Sequence, residues 1–431
     1  MAAKFSIKTF GCKVNQYESQ LIFDNLKGFG FTPDEHSSAD VVIVNTCTVT
    51  RTADGKCRQI IRKIKKDNPR AKIIVTGCKA VTPGDIEILG SMEEVFQVVH
   101  NNRKNDIPLI VSGLVETHPV SSSLISEISG FEEHARAFVK IQDGCDGACA
   151  YCKVRLVRGE PWSRDTTEII HEIENLIVKG HKEIVITGIC IGLWRDSNGH
   201  GLPRLFSDLD KIKGDTRFRL SSIEPNHMTD ELIDAVSSSK NICHHFHIPM
   251  QSGSDRVLRN MKRRYDSERF MRLIGKVRDK MPAAGITTDI ICGFPGETAD
   301  DHFATKEFLR LIAPSRLHVF AYSDREGTIA QKMQEKVIDS EIKKRSVELI
   351  SLGDGFEKSF AKRSVGKKIE VLVEEKFSKD LLSGYSREYA RVILEGFQTD
   401  RGNFVTITPE GMFRDTKCLF SSKAQNYHSH R

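Results

Sequence analysis

Three short apolar segments in the first hundred residues each end close to a cysteine. The segments lie at residues 5–10, 41–44 and 73–76. Helical patterns follow the first two segments, and this alternation of strand and helix is typical of a parallel sheet. In such a sheet the strand-to-helix loops meet outside the carboxyl ends of the strands. Because Cys12, Cys47 and Cys78 follow the three segments, we expect their thiols to meet at one edge of the sheet.

Three converging thiolates suit an iron–sulfur cluster in which one iron has no protein ligand. The alternative is that each cysteine is a small buried apolar residue, which is how most free cysteines behave. Cys12 and Cys78 directly follow a glycine, which lets backbone and ligand approach closely. The equivalent positions of the three cysteines therefore favour a cluster. Five further cysteines lack this pattern and are interpreted as packing residues: Cys57, Cys190, Cys243, Cys292 and Cys418.

A second group of thiols, Cys145, Cys149 and Cys152, follows an apolar strand at residues 138–141. A cubane cluster has four irons, so three clustered thiolates leave one iron open to a small molecule. A structural zinc site would normally need four ligands, and no second Cys-x-x-Cys pair accompanies this group. Disulfides are disfavoured because the sequence begins without a secretory signal. The spacing, with Tyr151 just before the last cysteine, indicates a 4Fe–4S cluster.

Composition and charge exclude only a few classes of function. The 64 basic and 58 acidic side chains leave a net charge of +6, which permits an anionic partner without requiring one. No apolar run approaches the length of about 18 residues that a membrane span needs. We therefore expect a cytoplasmic protein of two to four domains with no membrane partner.

The segments around both groups of cysteines closely resemble the methylthiotransferases, which are radical S-adenosylmethionine (SAM) enzymes. The resemblance is carried by residues 10–19, 45–50, 75–78 and 145–152, and later by residues 220–225, 247–255, 261–265 and 288–297. It implies two 4Fe–4S clusters. One would bind SAM and be held by Cys145, Cys149 and Cys152, and an auxiliary one would be held by Cys12, Cys47 and Cys78.

Within this family, residues 12–16 resemble the branch that acts on N6-threonylcarbamoyladenosine in tRNA. The resemblance implies methylthiolation at C2 of this nucleoside next to the anticodon, giving 2-methylthio-N6-threonylcarbamoyladenosine. Two alternatives stay open: the same chemistry on isopentenyladenosine or a ribosomal-protein aspartate, and a non-enzymatic iron–sulfur protein that binds RNA or senses redox state. The implied partners are the tRNA anticodon stem-loop, a one-electron reductase such as a flavodoxin or ferredoxin, and a sulfur donor.

The predicted fold is α/β with three domains. They are a methylthiotransferase N-terminal domain with a parallel sheet (1–118), a radical SAM core (134–362) and a small antiparallel β-barrel (363–424), with a linker (119–133) and a polar tail (425–431). The resemblance implies that the core is a partial (β/α) barrel. Its strand candidates lie at residues 183–187, 218–221, 245–248, 287–291 and 316–320.

Functional residues of such barrels lie at the carboxyl ends of the strands. Gly188, Glu224, Gln251 and Asp289 occupy such positions and are candidates to hold SAM or the nucleoside. Tyr151 is a candidate to pack near the SAM adenine. The alternatives are that Glu224 and Asp289 cap helices or bind loop amides, and that Gln251 belongs to a turn.

The C-terminal region alternates apolar and polar residues, which predicts a small antiparallel barrel. The alternating runs cover residues 368–374, 389–394 and 403–408, with Gly384, Gly396 and Gly402 between them. The region resembles the TRAM domain, an RNA-binding module of this family. Tyr385 and Tyr389 either stack on unpaired RNA bases or are structural tyrosines.

Overall fold

The structure is a computed structural model that describes residues 3–47, 51–114, 123–131 and 134–423. The predicted tail at 425–431 and parts of the predicted linker at 119–133 lie outside the described residues, as do residues 48–50. The chain divides into two compact units. The first comprises residues 1–130, 143–147 and 152–161, and the second comprises residues 131–142, 148–151 and 162–431. The domain boundaries given above stay a prediction.

The first unit contains a five-stranded parallel sheet, as the sequence predicts. The strands are β1 (Lys4–Thr9), β2 (Thr32–Pro33), β3 (Val41–Thr46), β4 (Lys72–Gly77) and β5 (Gln97–Val98). Their order is β2-β1-β3-β4-β5, and each pair is parallel. The helices are α1 (Lys13–Gly28), α2 (Arg51–Asp67), α3 (Pro83–Gly90), α4 (Ile107–Leu114) and α5 (Val154–Arg158).

Side chains from the helices cover both faces of this sheet. On one face Ile43 packs with Leu26 of α1, and on the other Val44 packs with Ile61 of α2. All six residues of β3 are buried. A strand that is buried on both faces reads as a continuous apolar run, which is why the sequence identifies β3 so clearly.

The second unit begins with strands that, apart from the short one at Trp162–Ser163, lie at the positions that the sequence predicts. They are β6 (Arg136–Asp143), whose last residue belongs to the first unit, β7 (Trp162–Ser163), β8 (Glu183–Gly188), β9 (Arg217–Leu220), β10 (His245–His247), β11 (Gly285–Cys292) and β12 (Arg316–Ala321). Strands β6, β8 and β9 pair in parallel, as do β10, β11 and β12. A parallel bridge between Ser222 and His247 joins the two groups.

Seven helices alternate with these strands. They are α6 (Thr166–Val178), α7 (Leu202–Leu209), α8 (Asp230–Ser238), α9 (Asp255–Asn260), α10 (Ser267–Lys280), α11 (Ala299–Ile312) and α12 (Asp339–Lys362). Within the described part of the chain, no helix is both long enough and apolar enough to cross a membrane.

The C-terminal residues form a six-stranded, mainly antiparallel sheet. Its strands are β13 (Ile369–Ser378), β14 (Leu381–Ser386), β15 (Arg391–Glu395), β16 (Phe404–Ile407), β17 (Gly411–Met412) and β18 (Leu419–Ser422), in the order β16-β13-β14-β15-β18-β17. Gly384 lies inside β14 rather than between two runs. A Cβ atom there would be 2.0 Å from the carbonyl oxygen of Leu372, so this strand position needs glycine because another backbone approaches it closely.

Tyr385 and Tyr389 are engaged in packing within the second unit. Their rings stack on each other with centroids 4.6 Å apart, and the Tyr389 ring lies 4.5 Å from that of His245. The guanidinium of Arg219 lies over the Tyr389 ring at 4.8 Å. Because these contacts occupy the rings, they support the structural alternative for both tyrosines.

A buried network of charges joins the C-terminal sheet to β8 and β9. Glu183 is 1% exposed and pairs with Arg217 Nε at 2.6 Å and Arg219 Nε at 2.7 Å. Arg217 also donates to the carbonyl of Tyr385 at 2.9 Å, and Arg219 donates to that of Arg387 at 2.9 Å. Burial opposes ionisation of Glu183, but the two guanidinium groups outweigh it and hold its pKa well below its usual range.

We expect Glu183→Gln to destabilise the protein by about 3–5 kcal/mol, because it leaves buried guanidinium groups without their counter-charge. A depressed pKa stabilises the folded state above the unfolded value of 4.5 and loses that contribution as the pH falls through the lower folded value. The melting temperature, measured from pH 7 down to acidic pH, reports both effects. Glu174→Gln on the exposed side of α6 is the control, and equal melting temperatures for the two variants would contradict the prediction.

Candidate iron–sulfur sites

Cys12, Cys47 and Cys78 lie at the ends of three adjacent strands of the first unit. Asn45 of β3 is in register with Thr9 of β1 and Thr76 of β4. The Cys78 amide donates to the carbonyl of Thr46 at 3.1 Å. All three thiols are free, with Cys12 exposed and the other two buried. The parallel sheet therefore brings the three sulfur atoms to one edge.

Two glycines allow the backbone segments that carry the cysteines to lie close together. Gly11 has a φ of +99°, and a Cβ atom there would lie 2.6 Å from Cys47 Cβ and 2.7 Å from Cys47 Sγ. Gly77 has a φ of +96°, and its Cβ would lie 2.4 Å from the carbonyl oxygen of Thr46. A side chain at Gly11 would displace Cys47, and one at Gly77 would collide with the end of β3, so both glycines are needed for the local geometry.

Buried charged groups lie near the Cys78 thiol. The Arg158 side chain is 2% exposed and donates to Glu18 Oε1 and Asn15 Oδ1, each at 2.6 Å. Burial raises the pKa of the Cys78 thiol, whereas the positive charge of Arg158 lowers it and the nearby Cys12 thiol raises it further. Lys104 also pairs with Glu18, at 2.6 Å.

This donor set fits an iron–sulfur cluster. It offers three thiols on one sheet edge and a guanidinium that offsets thiolate charge. Among the described residues, Nε of Arg158 is buried without a hydrogen-bond partner, and an additional acceptor such as a cluster sulfide would satisfy it. Hydrogen bonds and charge around the sulfur atoms are the means by which a protein adjusts cluster potential.

Each cysteine of the second group accepts an N–H···S hydrogen bond. The Gly147 amide lies 3.3 Å from Cys145 Sγ, and the Val154 amide lies 3.4 Å from Cys152 Sγ, all within the first unit. Cys149 belongs to the second unit, where Arg263 Nη1 lies 3.2 Å from its sulfur. Such donors stabilise thiolates, so each of these cysteines by itself suits the role of a metal ligand.

Arg263 connects Cys149 with two of the candidate SAM residues. Its side chain is 3% exposed, its Nη1 lies 3.3 Å from the Tyr151 hydroxyl, and its Nη2 forms an ion pair with Glu224. The Glu224 side chain makes no capping hydrogen bond to the short helix that follows it. The structure thus places Cys149, Tyr151 and Glu224 around one buried guanidinium.

Gly188 and Gln251 lie at other strand ends of the same unit. Gly188 ends β8, where a Cβ atom would be 2.8 Å from the carbonyl oxygen of Gln142. Gln251 follows β10 with a left-handed φ of 70°, and its amide donates to the carbonyl of Asp289 at 2.8 Å. Non-glycine residues with positive φ are uncommon and cluster at functional sites.

Sequence reasoning did not single out Arg263. It lies in a basic stretch, and such stretches are usually solvent-exposed helix faces. Its position within residues 261–265, which carry part of the family resemblance, was the one available signal. The burial of its charge depends on Cys149 and Glu224, which are distant in sequence.

Family models match two parts of the chain. The radical SAM superfamily matches residues 139–309, and an uncharacterised protein family, UPF0004, matches residues 4–100. A threonylcarbamoyladenosine tRNA methylthiotransferase MtaB from Bacillus subtilis is 36% identical, covering 94% of this chain and 93% of the relative. The chain belongs to the tRNA methylthiotransferase family. The MtaB protein of Thermotoga maritima is 38% identical over 89% of this chain and 90% of its own length.

Relatives in this family differ in their named substrates. A tRNA-2-methylthio-N(6)-dimethylallyladenosine synthase from Carboxydothermus hydrogenoformans is 34% identical over 94% of this methylthiotransferase chain and 97% of the relative. Among solved structures, the radical SAM methyltransferase TsrM from Kitasatospora setae superposes with a TM-score of 0.54 at 13% identity, over 74% of this chain and 73% of the other. At this low identity, the similarity to TsrM concerns the fold alone.

Proposed function

We propose that the protein is a radical SAM methylthiotransferase that converts N6-threonylcarbamoyladenosine in tRNA to 2-methylthio-N6-threonylcarbamoyladenosine. The observation that carries this proposal is the presence of two separate groups of three thiols in a chain that is 36–38% identical to MtaB proteins over about nine tenths of its length. One group alone would fit many radical SAM enzymes. The second group adds a site from which sulfur can be supplied.

Cys145, Cys149 and Cys152 hold the 4Fe–4S cluster that binds SAM, and Cys12, Cys47 and Cys78 hold the auxiliary 4Fe–4S cluster. When bound, the SAM cluster supplies the electron for radical cleavage of SAM. Radical chemistry is needed because no side-chain base can usefully deprotonate the aromatic C–H bond at C2 of the adenine. Arg263 fixes the positions of Cys149, Tyr151 and Glu224 by direct contact. Gly188 and Gln251 complete the proposed SAM contacts.

The substrate is the anticodon stem-loop of tRNA. The C-terminal sheet is proposed to be a TRAM-like RNA-binding barrel, in which surfaces other than Tyr385 and Tyr389 contact the RNA because these rings are packed internally. The parallel strands β6 and β8 to β12 are proposed to form the partial barrel of the core. A one-electron reductase and a sulfur donor complete the cycle in the cytoplasm.

Nucleoside mass spectrometry of tRNA tests the substrate. A strain without this gene is expected to lose 2-methylthio-N6-threonylcarbamoyladenosine and to accumulate its unmethylthiolated precursor, and the intact gene should restore the product. The methylthiolated dimethylallyladenosine of the same strain serves as the internal control. Loss of that nucleoside instead would overturn the proposed substrate, and an unchanged set of nucleosides would overturn the proposed function.

A further inference from the structure

Three polar side chains face one another on adjacent strands of the second unit. His247 ends β10, Asp289 lies in β11 and His318 lies in β12. Asp289 is in register with His318. His247 Nε2 lies 3.1 Å from Asp289 Oδ2, the two imidazole rings are 5.7 Å apart, and one nitrogen or oxygen of each residue lies within 4.8 Å of the others.

The orientation of this group is fixed by a neighbour. Thr287 Oγ1 lies 2.8 Å from His247 Nδ1, which leaves Nε2 directed towards Asp289. The His247 and Asp289 side chains are 20% and 23% exposed, so the group is accessible to a ligand. Burial lowers the pKa of His318, which favours the neutral ring, with one donor and one acceptor.

The group lies close to the proposed SAM residues. His247 is two residues before Pro249, whose carbonyl oxygen lies 3.4 Å from Arg263 Nη2, and Arg263 contacts the Cys149 sulfur. The carbonyl of Asp289 accepts the amide hydrogen of Gln251 at 2.8 Å. A nucleoside placed near Cys149 would therefore have these polar side chains beside it.

We propose, on the basis of the proposed function, that His247, Asp289 and His318 form the subsite for the N6 substituent of the target adenosine. The threonylcarbamoyl group carries amide hydrogens and a hydroxyl that can donate to the Asp289 carboxylate, and a carboxylate that can accept from the His318 ring. His247 already binds Thr287 and Asp289 and holds the Asp289 side chain in position. A dimethylallyl group has none of these, so its burial here would leave polar groups unpaired. A site built for hydrogen bonds rejects an analogue without them by factors as large as about 10⁴.

The test compares anticodon stem-loops that carry N6-threonylcarbamoyladenosine, dimethylallyladenosine or adenosine at the same position. Fluorescence anisotropy measures affinity, and mass spectrometry measures methylthiolation by the reconstituted holoenzyme. His318→Leu is expected to reduce the preference for the threonylcarbamoyl loop over the adenosine loop by about tenfold or more, and His318→Gln, which retains a donor, should recover part of it. His171→Leu on the exposed side of α6 is the control and should keep the wild-type preference.

The outcomes separate this subsite from the overall function. A wild-type enzyme that never methylthiolates the threonylcarbamoyl loop would overturn the proposed function. A wild-type enzyme that does so, combined with full preference in His318→Leu, His318→Gln and Asp289→Asn, would overturn the subsite alone. One zinc ion per chain that disappears in His318→Leu would also overturn it, because the imidazoles would then be metal ligands. Should His318→Leu fail to fold, the His318→Gln and Asp289→Asn variants decide the result.

Discussion

Cys149→Ala is expected to reduce SAM cleavage to the background rate and to abolish methylthiolation. The substitution removes a thiol that receives a hydrogen bond from the buried Arg263, and a cubane held by two thiolates lacks the ligands that keep it in place. The deoxyadenosine formed from SAM after reduction with dithionite measures the first effect. The second is measured as the methylthiolated nucleoside in the tRNA.

Two further measurements make this result specific. Iron content should fall to about half of that of the wild-type protein, because only the auxiliary cluster remains. Cys418→Ala is the matched control, since Cys418 is a half-buried cysteine in the C-terminal region that we interpret as a packing residue, and it should retain deoxyadenosine formation. Wild-type deoxyadenosine yields from Cys149→Ala would exclude Cys149 as a ligand of the SAM cluster.

The sequence predicts the sheet of the first unit well because its physical signal is local. Strands buried on both faces are apolar along most of their length, and β3 is buried at every residue and apolar from Val41 to Val44. Once the sheet is parallel, the common edge for Cys12, Cys47 and Cys78 follows from the topology. The positions of these thiols were therefore within reach of pattern analysis.

The arginines near the thiols could not be predicted from local sequence patterns. Arg263 lies 114 residues from Cys149, and Arg158 lies 140 residues from Glu18, so no local pattern distinguishes these arginines from exposed ones. The two tyrosines show the same limit. Tyr389 contacts Arg136, which lies 253 residues away in the sequence. The residues next to a tyrosine do not reveal whether it packs on such a distant side chain or stacks on RNA.

Substitutions in the two groups of thiols are expected to impair different steps of the reaction. Cys47 follows the central strand of the three whose ends carry the proposed auxiliary ligands. Its thiol lies so close to Gly11 that only a glycine fits there. Replacing it removes one of the three proposed ligands in the first group but leaves Cys145, Cys149 and Cys152 and their hydrogen-bond donors in place. The consequence should differ in kind from that of Cys149→Ala.

Cys47→Ala is expected to retain deoxyadenosine formation and to lose methylthiolated tRNA, with iron content again at about half of the wild-type value. The reason is that radical generation depends on the second group of cysteines, whereas sulfur insertion requires both. Cys57→Ala is the matched control because Cys57 is another buried cysteine of the first unit, packed in the core with Ile61, and it should keep both iron and product. Normal product formation by Cys47→Ala would rule out the auxiliary cluster at this sheet edge, whereas loss of deoxyadenosine as well would show that the two sites do not function separately.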